Sequence, residues 1–393
     1  RMQEEVRKVL LADARWRKSA GVPDRGGDRK LVESVLRTLP KKWHRIGDAI
    51  LFAGGRWLTQ PHSASPRTGT GPSRQRAAAE AAAEAEDGKL VPSTPPDASS
   101  LLSLGPPLWS ALRRALHTGG SPVTRIAIQG RVSRGRMRVP GVVVVHDCRG
   151  SVPEGDEGGW VTHKEGGVVY RLDITRSMFS AGNGSEKKRV GEICNPGDVV
   201  VDLYAGIGYF TLPYLVRGRA SHVHACEINP ASIEALNQAL ARNNITKDRC
   251  TVYPFDNKDL PVYDVADRVN LGLLPSAEKS YVVAIRALKP QGGFLHVHGN
   301  CAESDVDAYA EQVRRKIEGL ARGSAANSSG EKDTKSGETD AVDHPGLDPR
   351  KQRWIVKIRH IEKVKWYAPR IRHIVVDLEC RLPSTNHDQS SKP

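Results

Sequence analysis

The sequence predicts an α/β protein. Its later half reads as a parallel sheet with helices on both faces, closed by a C-terminal antiparallel strand pair and preceded by smaller α+β pieces. Three observations predict this. Residues 171–300 alternate short β-branched runs with helical stretches, the order that builds a parallel sheet. An apolar strand ending at Asp202 runs into a turn carrying Gly206 and Gly208. Two β-branched runs, 354–364 and 371–378, are separated by a turn that includes Tyr367, Ala368 and Pro369.

Along the chain, residues 1–58 read as an N-terminal ancillary unit. Leu31, Val32, Val35, Leu36 and Leu39 recur at helical spacing, Pro40 stops the run, and residues 49–53 suit a short strand. Residues 59–100 are dominated by Pro, Ser, Thr and Gly around an Ala-rich run at 76–86, which predicts a disordered linker. Residues 101–170 resume as an α+β domain, with a helix over 108–116 and strands at 126–128, 142–146 and 168–172. Residues 171–385 form the last domain. Its strands fall at 199–203, 222–227, 250–253, 268–271 and 293–297, with a helix over 230–243. Residues 321–349 hold almost no large apolar side chains and predict a disordered insertion. There is no internal repeat.

The 393 residues allow two or three domains. Hydrophobic residues make up 38% of the chain, an ordinary globular value once glycine is added, so full disorder is excluded. No run of about 18 apolar residues exists, which predicts no membrane partner. No basic-then-apolar leader opens the chain, which predicts a cytoplasmic rather than a secreted protein. The six cysteines, at 148, 194, 226, 250, 301 and 380, form no CxxC pair and lack zinc-ligand spacing. They read as reduced thiols, with no disulfide framework and no metal. His163, His296 and His298 read as structural for the same reason. The net charge of +14 is uneven: residues 1–170 carry 27 Lys+Arg against 17 Asp+Glu, whereas 171–300 carry 15 against 13. A near-neutral core behind a basic front suits a polyanionic partner or simply a solvated basic surface. Nothing indicates an oligomer, and a monomer is expected.

The glycine turn is the strongest local signal. Gly206 and Gly208 let the backbone approach a ligand where a Cβ would clash. Asp202, at the strand end, can accept from a ligand donor. Glu227 follows Gly206 by 21 residues, at the end of the next strand, where an acid can take ribose hydroxyls. The third glycine of the dinucleotide fingerprint is missing, which disfavours NAD. A loop of this kind with the spaced acid favours an adenosyl ligand without pyrophosphate, and S-adenosylmethionine fits. Asp256 and Asn257 lie just past the third strand, where a carboxylate can accept from the adenine amine. Alone, Asp-Asn is also an ordinary turn.

Several runs together resemble a known family. They are Met178-Phe-Ser180-Ala-Gly-Asn183-Gly-Ser-Glu186-Lys187-Lys-Arg189, Ala225-Cys-Glu227-Ile-Asn229-Pro230 and Ala266-Asp267-Arg268-Val-Asn270-Leu-Gly272-Leu-Leu-Pro275-Ser276. With Trp160-Val-Thr-His163, Leu39-Pro-Lys-Lys-Trp43, Gly47-Asp48, Tyr367-Ala-Pro369 and Asp377-Leu-Glu-Cys380, they resemble the tRNA wybutosine-synthesizing aminocarboxypropyltransferases. These are relatives of the tRNA guanosine N1-methyltransferases. The resemblance implies a class I methyltransferase-like, Rossmann-type sheet in 171–385, and an RNA-positioning role for 101–170. It implies adenosylmethionine contacts at Ser180, Lys187, Glu227, Asp256 and Asn257, with Lys187 holding the ligand carboxylate. Glu186 matches the general base of the N1-methyltransferases, with a role less defined in the aminocarboxypropyl branch. Asn270 is implied to face the nucleobase. Asn270-Leu271-Gly272 departs from the Asn-Pro-Pro or Asn-Leu-Pro of many base-nitrogen methyltransferases and matches the aminocarboxypropyl branch.

The activity implied is transfer of the 3-amino-3-carboxypropyl group from adenosylmethionine to C7 of 4-demethylwyosine in tRNA-Phe, with methylthioadenosine as by-product. Guanosine N1-methylation on the same fold is the alternative, and a tRNA-binding protein without activity is a third reading. Which carbon of the sulfonium reacts depends on which lies in line with the acceptor. The acceptor base must leave the anticodon loop to reach a pocket. Arg131, Arg134, Arg136 and Arg138 form one candidate phosphate-binding cluster. Lys351, Arg353, Lys357, Arg359, Lys363 and Lys365 form another. Trp366 and Tyr367 could offer a stacking face, but packing into a core beside a turn is the expectation for them.

Overall fold

The computed structural model describes residues 1–13, 29–40, 43–53, 104–117, 122–133, 135–149, 158–323 and 349–383. The linker expected at 59–100 lies outside the described residues, as does nearly all of the insertion expected at 321–349. The chain divides into two compact units, residues 1–164 with 171–179, and residues 165–170 with 180–393.

The first unit contains α1 (Met2–Ala12), α2 (Arg29–Thr38), β1 (Trp43–Ile46), β2 (Ala49–Ala53), α3 (Pro106–Leu116), β3 (Arg125–Val132) and β4 (Pro140–Asp147). Two prolines open α3, where the missing N–H costs nothing and the fixed φ suits the first turn. The strands form one sheet in the order β1-β2-β3-β4, with β2 and β3 parallel. Residues 1–58 and 101–170, read from sequence as separate pieces, therefore share a sheet. They also share a core: Val35 and Phe52 pack with Leu108, Leu112 and Ile126. Burial of each such side chain stabilises by roughly 1.5–3 kcal/mol. The Gly47-Asp48 and Trp160–His163 motifs serve this unit's structure. Buried Arg125 donates to Asp48 and to the carbonyls of Gly158 and Trp160, both at 2.9 Å. The Gly47 N–H donates to His163 Nδ1 at 3.2 Å.

A short ribbon of β5 (Trp160–Glu165) and β6 (Val168–Asp173) follows. The second unit then runs through α4 (Gly184–Ile193), β7 (Val199–Asp202), α5 (Thr211–Val216), β8 (His222–Cys226), α6 (Pro230–Arg242), β9 (Cys250–Tyr253), β10 (Arg268–Leu271), α7 (Tyr281–Ala287), β11 (Gly292–Ala302), α8 (Val306–Ala321), β12 (Ile355–Ala368) and β13 (Ile371–Arg381). Its sheet has the order β12-β13-β11-β10-β7-β8-β9. The five strands from β11 to β9 are parallel, and β13 and β12 continue the sheet antiparallel. Every residue of β10 is buried, as expected for a strand covered on both faces. Asn229 caps α6 by accepting from the Ala231 N–H at 2.9 Å, and Pro230 opens the helix. The edge strand β12 carries Lys357, Arg359, Lys363 and Lys365, and charged side chains on an edge deter pairing with another chain.

Among the described residues no helix is long and apolar enough to cross a membrane, and no group of His, Cys, Asp or Glu is arranged to hold a metal ion.

Candidate active site

The carboxyl ends of the parallel strands carry the chemistry, where open α/β sheets bind ligands. After β7 the chain reverses through Gly206 at φ +56° and Gly208 at φ +93°. A Cβ on Gly206 would lie 2.8 Å from the Tyr209 ring, and one on Gly208 would lie 2.9 Å from Leu212 and Leu236. Only glycine suits both conformation and space.

Glu227 closes the loop from the next strand. Its Oε2 accepts from the Gly206 N–H at 2.8 Å, and its Oε1 accepts from the N–H groups of Ile228 and Asn229 at 2.9 and 2.8 Å. Burial pushes its pKa up, against the pull of these three donors. A carboxylate has about four lone-pair positions. Three are taken, so one on Oε2 stays available to a ribose hydroxyl. Asp256 is partly exposed beyond β9, and its side chain accepts from the Lys258 N–H at 3.1 Å.

Three residues expected at the ligand are instead committed to the fold. Asp202 is fully buried. It accepts from Asn270 Nδ2 at 3.0 Å and Thr211 Oγ at 2.8 Å, and burial pushes its pKa up despite these partners and backbone donors. Its place in the cofactor site is therefore to hold the loop. Asn257 donates from Nδ2 to the Leu203 carbonyl at 3.0 Å and accepts from Ser280 Oγ at 2.8 Å. Its side chain fixes the strand ends, while its neighbour Asp256 is partly exposed.

Glu186 is the third. It has no exposed surface. Arg189 donates to both its oxygens, at 2.7 and 2.8 Å, and also to Asp377 at 2.5 and 3.2 Å. Asp377 in turn pairs with His296 Nδ1 at 2.7 Å. Burial opposes the Asp377 charge, but His296 and Arg189 outweigh it and hold this carboxyl well below the usual carboxylate range. The chain of four ties α4 to β11 and β13. A glutamate clamped by a guanidinium inside it is not placed to take a substrate proton, so the general-base expectation does not fit this arrangement.

Lys187, by contrast, lies with ligand-like surroundings. It is buried, donates to Glu165 Oε2 at 2.5 Å, and lies 5.0 Å from the Tyr170 ring and 5.7 Å from the Tyr209 ring. Burial pulls its pKa down, and Glu165 opposes the fall. Ser180 Oγ accepts from Lys365 Nζ at 3.3 Å. Burial and the charge of Lys187 both lower the Lys365 pKa. The ammonium of Lys187, paired with Glu165, thus lies near that of Lys365. Sequence reading placed Lys365 on a surface cluster; the pairing of Lys365 with His373 across β12 and β13 brings it inward.

The other members of that cluster also separate. Lys351 is buried and donates to the carbonyls of Ile285 and Arg286, both at 2.9 Å. Arg359 pairs with Glu379, and Lys363 pairs with Glu303 at 3.0 Å. In the first cluster Arg136 and Arg138 are exposed, Arg134 lies outside the described residues, and so does the Arg131 side chain. Trp366 and Tyr367 are 53% and 58% exposed, with Arg372 stacked 3.8 Å from the Trp366 ring. The expected core packing of these aromatics does not occur, because they sit at the tip of a hairpin on the sheet edge.

Comparison with known proteins adds a lineage to this geometry. Residues 161–327 match the TRM5/TYW2 methyltransferase domain. The tRNA wybutosine-synthesizing protein 2/3/4 of Arabidopsis thaliana is 36% identical over 381 residues, which is 97% of this chain and 29% of that protein. The tRNA wybutosine-synthesizing protein 2 homolog of Danio rerio is 41% identical over 288 residues, covering 71% of this chain and 66% of the relative. The chain thus spans under a third of the first relative and just under two thirds of the second. The crystal structure of P. horikoshii TYW2 in complex with MeSAdo superposes with a TM-score of 0.54 at 22% identity, over 89% of this chain and 95% of that one, and shows the same fold.

Proposed function

Because the chain belongs to the TRM5/TYW2 family, we propose that it transfers the 3-amino-3-carboxypropyl group of S-adenosylmethionine to C7 of 4-demethylwyosine in tRNA-Phe, leaving methylthioadenosine. The relatives' names place them in wybutosine synthesis. The observation that carries the reading is the charge balance around Ser180. Lys187 pairs with Glu165, whereas Lys365, which donates to Ser180 and lies near enough to Lys187 for their charges to interact, has no carboxylate partner among the described residues, so one positive charge is left over. A carboxylate on the amino-acid arm of the donor neutralises it. Anchoring that arm fixes its γ-carbon, the atom to be transferred.

The remaining parts divide the work. Gly206, Gly208 and Glu227 take the ribose side, and Asp256 takes the adenine amine. Asn270 and Gly272 border the acceptor side. A Cβ at Gly272 would come within 3.3 Å of both Asn270 Nδ2 and the Phe210 ring, so glycine keeps room there for the acceptor and the arm. Once the arm is in line with the acceptor carbon at about 3–3.5 Å, positioning supplies much of the rate. The exposed aromatics Trp366 and Tyr367 offer faces on which loop nucleotides can stack. In this reading the protein acts as a cytoplasmic monomer.

The test uses tRNA-Phe bearing 4-demethylwyosine and adenosylmethionine labelled either on the methyl or on the carboxyl carbon. Carboxyl label entering tRNA is the expected result. Methyl label entering tRNA instead would replace this reading with N1-methylation. Neither label entering while tRNA binds would leave a binding protein.

A further inference from the structure

One face of the sheet beside the acceptor side holds an unusual concentration of unsatisfied polar groups. Among the described residues, Asn270 Oδ1, His298 Nε2, His373 Nδ1 and both amide atoms of Asn300 are buried without a hydrogen-bond partner. Buried polar atoms are nearly always paired, so each exception needs a reason. These five lie together: Asn270 on β10 is the register partner of His296, His298 and Asn300 follow on the same face of β11, and Asn300 is the register partner of His373 on β13. Such a face suits a polar ligand.

The two histidines are coupled. His298 Nδ1 lies 3.0 Å from His373 Nε2. Two neutral imidazoles sharing one hydrogen bond have a fixed outer pattern. If His298 donates, its Nε2 keeps a lone pair and His373 Nδ1 carries a hydrogen. If His373 donates, the pattern reverses. The pair therefore offers one acceptor and one donor at its ends. A proton taken at one end can leave from the other as both tautomers exchange. Burial keeps both rings neutral. His373 is pushed down to about 4, with the Lys365 charge adding to the effect. His298 is held well below the usual imidazole range, first by burial, then by His373, His296 and Arg189, with Asp377 opposing.

The His298 ring lies beside the residues proposed to border the acceptor. It packs 4.9 Å from the Phe210 ring, and Phe210 borders Gly272 together with Asn270. Resting on the proposed transfer reaction, we infer that His298 Nε2 accepts the proton released by the acceptor base and that its hydrogen bond to His373 shares the charge until the pair gives the proton up as product leaves. In the step, the acceptor carbon bonds to the γ-carbon of the arm. The γ-carbon–sulfur bond breaks, and its electron pair stays on sulfur, which becomes a neutral thioether. The alkylated base carries the positive charge until its C–H bond breaks and the proton passes to His298. A cationic carbon acid is strongly acidic, so a weak, neutral imidazole suffices. This assigns the role that Glu186, clamped on Arg189, is not placed to fill.

The test begins with nitrogen NMR of the histidine-labelled protein without donor or tRNA. At neutral pH both imidazoles should be neutral and share a hydrogen. An imidazolium at either position would overturn the proposal. With the acceptor carbon deuterated, His298→Gln should lower kcat by about 10²–10⁴-fold at unchanged KM and make proton loss slow enough to show an isotope effect. A structural role would not create one. His373→Gln, whose amide oxygen can accept from His298 Nδ1, should lose less and show a weaker isotope effect. Wild-type kcat without an isotope effect in His298→Gln would also overturn it. If the wild type delivers methyl label rather than carboxyl label, the transfer reading fails, and the histidines are tested on that reaction, which also releases a proton. If it delivers neither label, the NMR result decides.

Discussion

The two halves of the sheet's carboxyl edge are built by opposite means. On the β7–β8–β9 side, the surface proposed to meet the donor is made of backbone: glycines at positive φ and a carboxylate whose oxygens accept from main-chain N–H groups. On the β10–β11–β13 side the edge is made of buried side chains: Glu186, Arg189, Asp377 and His296 in one ionic chain, with His298 and His373 beside them. The first side depends on local conformation and tolerates little change in shape. The second depends on charge and tolerates little change in chemistry. A donor common to many reactions suits the first construction, and a particular acceptor suits the second.

The largest expected effect falls on the second side. Asp377→Asn leaves Arg189 with one carboxylate and His296 facing a neutral amide in place of a charge. Breaking a buried ionic pair costs about 3–5 kcal/mol when a charge is left uncompensated; Glu186 still pairs with Arg189, so the loss should lie near the low end of that range. The midpoint of urea unfolding should fall accordingly. The pH dependence has a definite sign. The Asp377 carboxyl is depressed in the folded state, so its contribution is present above the unfolded carboxyl pKa of about 4 and is lost as pH falls further. The variant should lose this part of the acid sensitivity. An unchanged midpoint would show that the chain of charges does not tie α4 to the sheet.

Glu227→Ala probes the first side, with a smaller effect on stability and a direct one on ligand binding. Hydrogen bonds to a charged group contribute about 1.5–3 kcal/mol, so affinity for adenosylmethionine should fall by about 10–100-fold by calorimetry. Equal affinity would remove Glu227 from the site.

The contrast between the sides also explains what the sequence could reveal. Gly206, Gly208 and Glu227 were legible because the acid at the end of the next strand follows the glycine turn by only 21 residues. The strands at 250–253 and 268–271 fall where they were expected. The ionic chain was not legible, because Arg189 and Asp377 are 188 residues apart and only the order of the sheet brings them together. His298 read as a structural histidine and His373 was not singled out, because 75 residues separate the two. Glu186 was matched to a general base by the resemblance alone, and nothing in the sequence showed that Arg189, three residues on, would clamp it. Residues 160–165 and 306–321 hold a strand and a helix that were not singled out. The sixteen-residue α8 shows its reason: it buries only Val306, Ala310, Val313, Ile317 and Ala321 on an otherwise charged surface, so small residues blur its apolar stripe.

Gly206→Ala tests the backbone construction alone. The residue would hold φ near +56°, which costs a side chain about 1–2 kcal/mol, and its Cβ would press on the Tyr209 ring. Because that ring also lies over Lys187, affinity for adenosylmethionine should fall with stability. A loss of stability without a loss of affinity would separate the loop from the donor pocket.

The smallest effect belongs to a surface outside both constructions. Trp366 and Tyr367 are more than half exposed, so Trp366→Ala and Tyr367→Ala should each change stability by less than about 0.5 kcal/mol. If loop nucleotides stack on them, tRNA affinity should fall by about 1 kcal/mol each, the low end of the range for base–aromatic stacking. The expected bias is toward Tyr367, because Arg372 already covers one face of the Trp366 ring. Adenosylmethionine affinity should stay the same in both variants, since neither side of the sheet edge is touched. Filter binding with tRNA at fixed salt separates this from a general loss of charge. A stacking contact keeps its deficit as salt rises, whereas a lost phosphate contact changes the slope of affinity with salt.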